Sequence, residues 1–210
     1  MATFRDRVLG SAAGYTGWKR LIRADRVMRT FVDEYLKPQP GMRVLDVGCG
    51  TGDVVEYLEG VDYVGVDINP RYIEAAGRAH AGKGRFLTTS VDELPTDRLG
   101  RFDAVIAIGL LHHVSDDIVR DMMAALSGLL EPDSRFVALD GVWHPDQHVV
   151  ARVATALDRG TYVRDAAGYE RLIREYFDEV GSTVRHDLLP FPYSHCFSWG
   201  TSPHLAEGNH

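Results

Sequence analysis

The chain has 210 residues, 45% hydrophobic and 25% charged, the composition of an ordinary globular protein of about one α/β domain. Its 30 acidic against 23 basic residues leave a formal net charge of −7, which disfavours a nucleic-acid partner, because phosphate contacts need a basic face. No apolar run reaches spanning length, Arg5, Asp6 and Arg7 stand where a signal-peptide core would lie, and Cys49 and Cys196 make no disulfide framework, so no membrane partner and a cytoplasmic location are expected.

Residues 4–36 have helical periodicity, with Leu21, Ile22, Val27, Met28, Phe31, Val32 and Tyr35 at helical spacing, and Pro38 and Pro40 end the segment. Arg43–Val47 is the first predicted strand and is followed by a helix over 53–59. Val61–Asp67 is the second strand, and Asn69-Pro70 opens a helix over 69–81. Arg85–Thr88 and the strongly apolar Phe102–Ile108 are strands three and four. A helix over Asp116–Leu130 is stopped by Pro132, and Arg135–Asp140 is strand five. Such alternation predicts an α/β fold with a doubly wound, mostly parallel sheet and right-handed crossovers.

Beyond strand five the alternation stops. Helices are expected over 146–158 and 166–177. Val180–Leu188 and Tyr193–Trp199 follow as two late strands, joined by Pro190-Phe191-Pro192, which suits an antiparallel pair at the edge of a seven-stranded sheet. The polar tail after Gly200 is expected to fray. The predicted organisation is one domain: a helical lid over 1–40, a core over 41–140, a helical insertion over 141–165, a final helix with edge strands over 166–200, and a tail over 201–210.

The stretch Val44-Leu45-Asp46-Val47-Gly48-Cys49-Gly50-Thr51-Gly52-Asp53 carries the most chemistry. An apolar strand ends in a carboxylate and breaks into a loop with glycine at every second position, a nucleotide-type pocket at the carboxyl end of a sheet. The dinucleotide pattern G-x-G-x-x-G is missed by one residue. Gly52 comes early, and Asp53, at the start of the helix, is expected to cap it and to repel a pyrophosphate. No Lys-Ser or Lys-Thr follows, so the Walker pattern is absent. The loop suits a ligand without phosphate, and the small size of Cys49 explains it better than reactivity does.

Five ordered pieces between Gly41 and Asp140 together resemble the class I S-adenosylmethionine-dependent methyltransferases, with a Rossmann-like fold. They are Val44–Asp53; Gly65-Val66-Asp67-Ile68-Asn69; Ser90-Val91-Asp92-Glu93-Leu94-Pro95, similar to the family's D-A-E-x-L-P turn; Phe102-Asp103-Ala104-Val105 through Leu111-His112-His113; and Leu130-Glu131-Pro132. Asp158–Arg164 and Pro192-Tyr193-Ser194-His195 loosely resemble a bacterial small-molecule subgroup.

The resemblance implies S-adenosylmethionine as cofactor. Asp46 then faces the methionine ammonium, directly or through water. Gly48, Cys49, Gly50 and Gly52 form the loop against the ligand. Asp67 accepts both ribose hydroxyls, since a carboxylate has two oxygens at diol spacing, and Ile68 packs on the adenine. Where the family has an acidic residue at the adenine amino group this chain has Ser90. Asp92 is the alternative, and Val91 supplies a backbone N–H. Ile108 and Gly109 line the pocket below the sulfonium. Tyr15 and Trp18 are the lid aromatics, Tyr15 on the cofactor and Trp18 on the acceptor side, and Lys19, Arg20 or Arg23 is placed to hold the cofactor carboxylate.

Methyl transfer from a sulfonium is an in-line displacement that depends on positioning and on excluding water. His112 and His113, just past strand four, have two readings: a general base for a hydroxyl acceptor, or a brace for the loop. His144 and His195 are rivals for the base. Asp140, Trp143, His144, Tyr162, Tyr193 and His195 are the expected acceptor contacts, with Arg164 beside them in the second lid segment. The Asn/Asp-Pro-Pro-Tyr run of amino-group methyltransferases, a carboxylate trio for Mg²⁺ and a Cys-x-x-Cys are all absent, so no metal is expected. The expected function is metal-independent methyl transfer to a small-molecule acceptor, with oxygen favoured over nitrogen. A regulatory S-adenosylmethionine-binding protein, an aminopropyltransferase or cyclase on the same fold, and a nicotinamide dehydrogenase are the rivals.

Overall fold

A computed structural model describes residues 24–94, 99–157 and 160–204. Tyr15, Trp18, Lys19, Arg20 and Arg23 lie outside the described residues. The predicted N-terminal helix is seen as α1, Ala24–Thr30, which widens into a π-helical turn over Phe31–Leu36. That turn closes on Lys37, whose backbone takes the left-handed conformation ahead of Pro38.

Strands β1 (Arg43–Val47), β2 (Asp62–Asp67), β3 (Arg85–Thr88) and β4 (Phe102–Ile108) fall where the apolar runs place them. Helix α2 (Pro70–Ala79) is capped by the Asn69 side chain, which accepts from the Arg71 N–H, with Pro70 in the first turn. Helix α3 (Asp116–Ser127) is capped by Ser115 in the same way. Five elements follow: β5 (Leu130–Trp143), α4 (Val149–Leu157), β6 (Arg164–Asp165), α5 (Ala166–Arg174) and β7 (Phe177–Arg185). The last described strand is β8 (His195–Pro203).

The main sheet has the order β3-β2-β1-β4-β5-β8-β7, with the two-residue β6 paired only to β5. Pairs β1–β2, β1–β4, β2–β3 and β4–β5 are parallel. Strand β8 is antiparallel to both β5 and β7. The expected sheet, seven strands and mostly parallel with an antiparallel late strand, is therefore present, and β6 is an addition to it.

Side chains alternate across the sheet and feed two apolar layers. Leu45 and Val47 pack with Val119, Met123, Tyr169 and Ile173 from α3 and α5. Val44, Ile106 and Phe197 pack with Phe31, Val32 and Leu36 on the opposite face. Among the described residues no helix is long and apolar enough to cross a membrane.

Several boundaries differ from expectation. The helix expected over 53–59 is a 3₁₀ turn, Asp53–Tyr57, entered through left-handed Gly52. Asp53 does not cap it; its carboxylate accepts from the Thr51 hydroxyl at 2.8 Å. Strand β5 starts at Leu130 and absorbs Pro132 in an irregularity between the pairs Phe102–Leu130 and Ala104–Arg135. It also runs past Asp140 to Trp143, because β8 pairs with Gly141 and β6 with Val142 and Trp143. Asp140 is thus inside the strand. Helix α5 stops at Arg174, so β7 starts and ends three residues earlier than expected, and Leu188 is a buried loop residue. Strand β8 runs past Trp199 and takes up Thr201–Pro203 from the predicted tail.

Phe197 of β8 is fully buried, and its ring stacks on Tyr35 with centroids 4.3 Å apart. Phe197→Ala removes that contact and leaves a cavity between β8 and the π-helical turn. The expected cost is about 3–5 kcal/mol, measured as a lower urea midpoint with an unchanged slope.

Candidate functional site

The parallel strands β1, β2, β4 and β5 end at one edge. Strands β7 and β8, running in opposite directions, place Arg185 and His195 at that edge too, in register with Gly141. The glycine loop leaves β1 there. Gly50 has φ +54, and a Cβ built on it meets nothing within 4 Å, so the loop is open on that side. Gly52 has φ +71, and a Cβ there would lie 2.5 Å from the Phe86 ring. The Gly48 and Cys49 N–H groups both donate to the Val66 carbonyl, which ties the loop to β2.

Asp67, at the end of β2, accepts from the Gly50 N–H at 3.0 Å through Oδ2 and from the Asn69 N–H at 2.8 Å through Oδ1. The carboxylate is held flat between the loop and the start of α2. Each oxygen keeps a lone pair for a further donor, the arrangement a vicinal diol needs. Ile68 beside it is 77% exposed, an apolar side chain standing at the mouth of the site.

Asp46 differs. It is 2% exposed; its Oδ2 accepts from the Tyr63 hydroxyl at 2.6 Å, and its Oδ1 has no partner. Burial pushes its carboxyl up to about 7 against the lowering effect of the Tyr63 hydrogen bond, and the nearby Asp67 adds to the rise. Burial and Asp46 in turn raise the Tyr63 hydroxyl, so it stays a donor. The Cys49 thiol is raised by burial, then by Asp46 and Asp67. It is a space-filler: a Cβ on Gly65 would lie 2.9 Å from its Sγ.

After β3 the chain turns through Ser90 and Val91, whose carbonyls accept from Glu93 and Leu94. Val91 is half-buried against the core, Ser90 is half-buried and Asp92 is exposed. After β4, half-buried Ile108 leads to left-handed Gly109, whose N–H donates to the Leu139 carbonyl at 2.7 Å.

The same turn carries the two histidines, and the structure separates them. His112 is buried; its Nδ1 lies 2.7 Å from Asp140 Oδ1, which also accepts its backbone N–H at 3.1 Å. Asp140 Oδ2 has no hydrogen-bond partner. A carboxylate on Nδ1 fixes the tautomer with the proton there and makes Nε2 the basic nitrogen. The Cε1 edge of the ring faces Gly109, 3.8 Å from a Cβ built there. His113 is exposed, its ring centroid 4.1 Å from that of His112.

The segment over 160–165 closes on this pair. The Tyr162 N–H donates to the His112 carbonyl at 3.0 Å, while its ring is 44% exposed. Arg164 donates to the Leu111, Val114 and Tyr162 carbonyls and pairs with Asp116. It is a buried clamp on the histidine turn.

The remaining expected contacts lie past Asp140. The Tyr193 and His195 rings are 4.8 Å apart, and the Tyr193 hydroxyl is 3.0 Å from a Cβ built on Gly141. Burial lowers His195 to about 4, and its Nδ1 has no hydrogen-bond partner. The His144 ring meets His186 edge-on, and His186 Nδ1 lies 2.8 Å from Ser194 Oγ. Trp143 lies under the Arg152 guanidinium. Sequence reasoning missed Tyr63, His186 and Ser194. A tyrosine inside an otherwise apolar strand was the signal for the first, since a buried hydroxyl needs a partner. Ser194 lies in the Pro192–His195 segment, where the expectation rests on Tyr193 and His195 alone, and nothing comparable marked His186.

Residues 44–133 match the family described as a methyltransferase domain. The ubiquinone biosynthesis O-methyltransferase of Acinetobacter baumannii is 32% identical over 165 residues, 75% of this chain and 66% of that protein. In fold, the chain is similar to the S-adenosylmethionine-dependent methyltransferase SibL, with a TM-score of 0.71 at 19% identity over 95% of this chain and 62% of that one. It is also similar to the Burkholderia thailandensis 1,6-didemethyltoxoflavin-N1-methyltransferase, crystallised with S-adenosylhomocysteine, with a TM-score of 0.62 at 22% identity over 84% of this chain and 77% of that one. The chain spans half or less of the length of the first curated relatives it matches.

The raised carboxyl of Asp46 has a consequence for stability. The folded state holds that proton more tightly than the unfolded chain does. Its contribution is therefore complete below about pH 4 and is lost as pH rises through about 7. In thermal melts, Asp46→Asn is expected to gain about 2 kcal/mol relative to the unsubstituted protein between about pH 5 and about pH 8. Parallel pH profiles for the two proteins would show that the carboxyl is not raised.

Proposed function

We propose that this chain, which belongs to the class I S-adenosylmethionine-dependent methyltransferases, moves the cofactor's methyl group to a hydroxyl oxygen of a small molecule without a metal ion. The observation that carries this reading is the buried His112–Asp140 pair beside Gly109. Bound S-adenosylmethionine supplies an electrophilic methyl on a sulfonium and leaves as S-adenosylhomocysteine.

The residues present fit that cofactor. The orphaned, buried Oδ1 of Asp46 suits an ammonium group and Asp67 a ribose diol. Exposed Ile68 suits an adenine face, and the turn after β3, with half-buried Ser90 and Val91 and exposed Asp92, suits the adenine edge. Ile108 and Gly109 form the floor next to the histidine turn.

His112 has the chemistry of a general base. Its Nε2 takes the proton of the acceptor hydroxyl as the new carbon–oxygen bond forms, and Asp140 steadies the resulting imidazolium through Nδ1. An amine that has already lost its proton needs no such base, so the pair favours oxygen. The Acinetobacter relative is named an O-methyltransferase, which supports the same choice. Tyr162, Trp143, His144, Tyr193 and His195 border the acceptor side, and the neutral imidazole of His195 is suited to a hydrogen bond with a second polar group of the acceptor.

A second reading has support from the same atoms. Asp140 also accepts the His112 backbone N–H, as a brace for the post-β4 turn would. Turnover separates the two. His112→Gln is expected to lower turnover by about 10²–10⁴-fold, while affinity for S-adenosylhomocysteine stays within about threefold. Asp140→Asn should lower turnover by a smaller factor. Full turnover in both variants, measured as S-adenosylhomocysteine release, would leave only the brace. Asp67→Ala is expected to weaken S-adenosylhomocysteine by about tenfold or more in calorimetry.

A further inference from the structure

His80 ends α2 and is 6% exposed. Its Nδ1 lies 2.7 Å from Glu56 Oε1, and its Nε2 lies 3.1 Å from the carbonyl oxygen of Thr51. A backbone carbonyl can only accept, and so can an ionised carboxylate. A neutral imidazole has one N–H. One tautomer would aim a lone pair at the Thr51 oxygen, and the other would aim one at the Glu56 carboxylate. The imidazolium has two N–H groups and satisfies both.

Charged groups surround the ring. Glu56 and Asp53 come from the 3₁₀ turn, with Asp53 Oδ1 3.9 Å from Nε2. Lys83, three residues past His80, pairs with the other oxygen of Glu56. Lys83 and then His80 hold the Glu56 carboxyl below the ordinary range, so it is ionised near neutral pH. From β3 the neighbour is the Phe86 ring, 6.2 Å away and uncharged.

Thr51 stands between Gly50 and Gly52 of the glycine loop. Asp67 holds the loop from the inside, through the Gly50 N–H. His80 holds it from the outside, through the next carbonyl. We infer that His80 is a positioning residue: it fastens the glycine loop to α2 through the Thr51 carbonyl and Glu56, and its loss releases the loop and weakens ligand binding. This rests on the loop being the cofactor site.

The test is calorimetry with S-adenosylhomocysteine at one neutral pH. His80→Ala is expected to weaken binding about fivefold, and His80→Gln, whose amide still donates to the Thr51 carbonyl, to recover most of that affinity. Amide hydrogen exchange at Gly50 and Gly52 should quicken in His80→Ala while the strands stay protected. Full affinity and unchanged loop exchange in a folded His80→Ala, or no recovery in His80→Gln, overturns the inference. Failure of the unsubstituted protein to bind S-adenosylhomocysteine would refute the cofactor reading instead, and the loop exchange would still decide whether His80 holds the loop.

Discussion

Parallel pairing is the constraint on which the site depends. Because β1 lies between β2 and β4, and β4 lies beside β5, all four strands deliver their last residues to one edge. Asp46, Asp67 and Asp140 are carried there on three different strands. In a chain whose net charge is already −7, such an edge draws cations and repels phosphates. The fold has met the electrostatic cost differently at each carboxylate. Asp67 is satisfied on both oxygens by backbone N–H groups, whereas Asp140, held by a histidine and its backbone, and Asp46, held by one tyrosine hydroxyl, each leave one buried oxygen without a partner. A group left in that state is adapted to a partner that arrives from outside.

The surroundings of the histidine turn are built on another principle, in which side chains tie distant segments together. Arg164 is the clearest case, since its guanidinium reaches three carbonyls and a carboxylate and joins two loops distant in sequence. Tyr169 adds a hydrogen bond from its hydroxyl to the Gly141 carbonyl, fastening α5 to the late part of β5. The edge that carries Asp46 and Asp67 is thus made by strand pairing, whereas the segment around Arg164 depends on side-chain anchoring.

That contrast explains what was legible in the sequence. The alternating core from Arg43 to Ile108 was readable, because buried parallel strands are apolar runs and the glycine loop has a fixed spacing. Asp67 was readable for the same reason. The late strands were displaced because β7 and β8 border on turn-rich sequence, and their register is set by pairing with β5 rather than by local pattern. The extension of β5 past Asp140 was hidden, since it depends on β8 and β6 arriving from far along the chain. His112 and His113 were inseparable as neighbours in sequence; only the tertiary position of Asp140 distinguishes them. His80 has no local signal at all, because its meaning lies in two acceptors 24 and 29 residues away.

The placement of β8 has a consequence for how the molecule is made. It is the last described strand, yet it sits between β5 and β7 and not at the rim of the sheet. On a ribosome, which releases the chain from its N-terminus, β5 and β7 emerge first and cannot pair with each other in the final order. β5 then keeps an edge of unpaired backbone groups until β8, the antiparallel neighbour of β7, has been made and docks on it. The aggregation-prone interval is the wait for Cys196, Phe197 and Ser198, the buried centre of that strand.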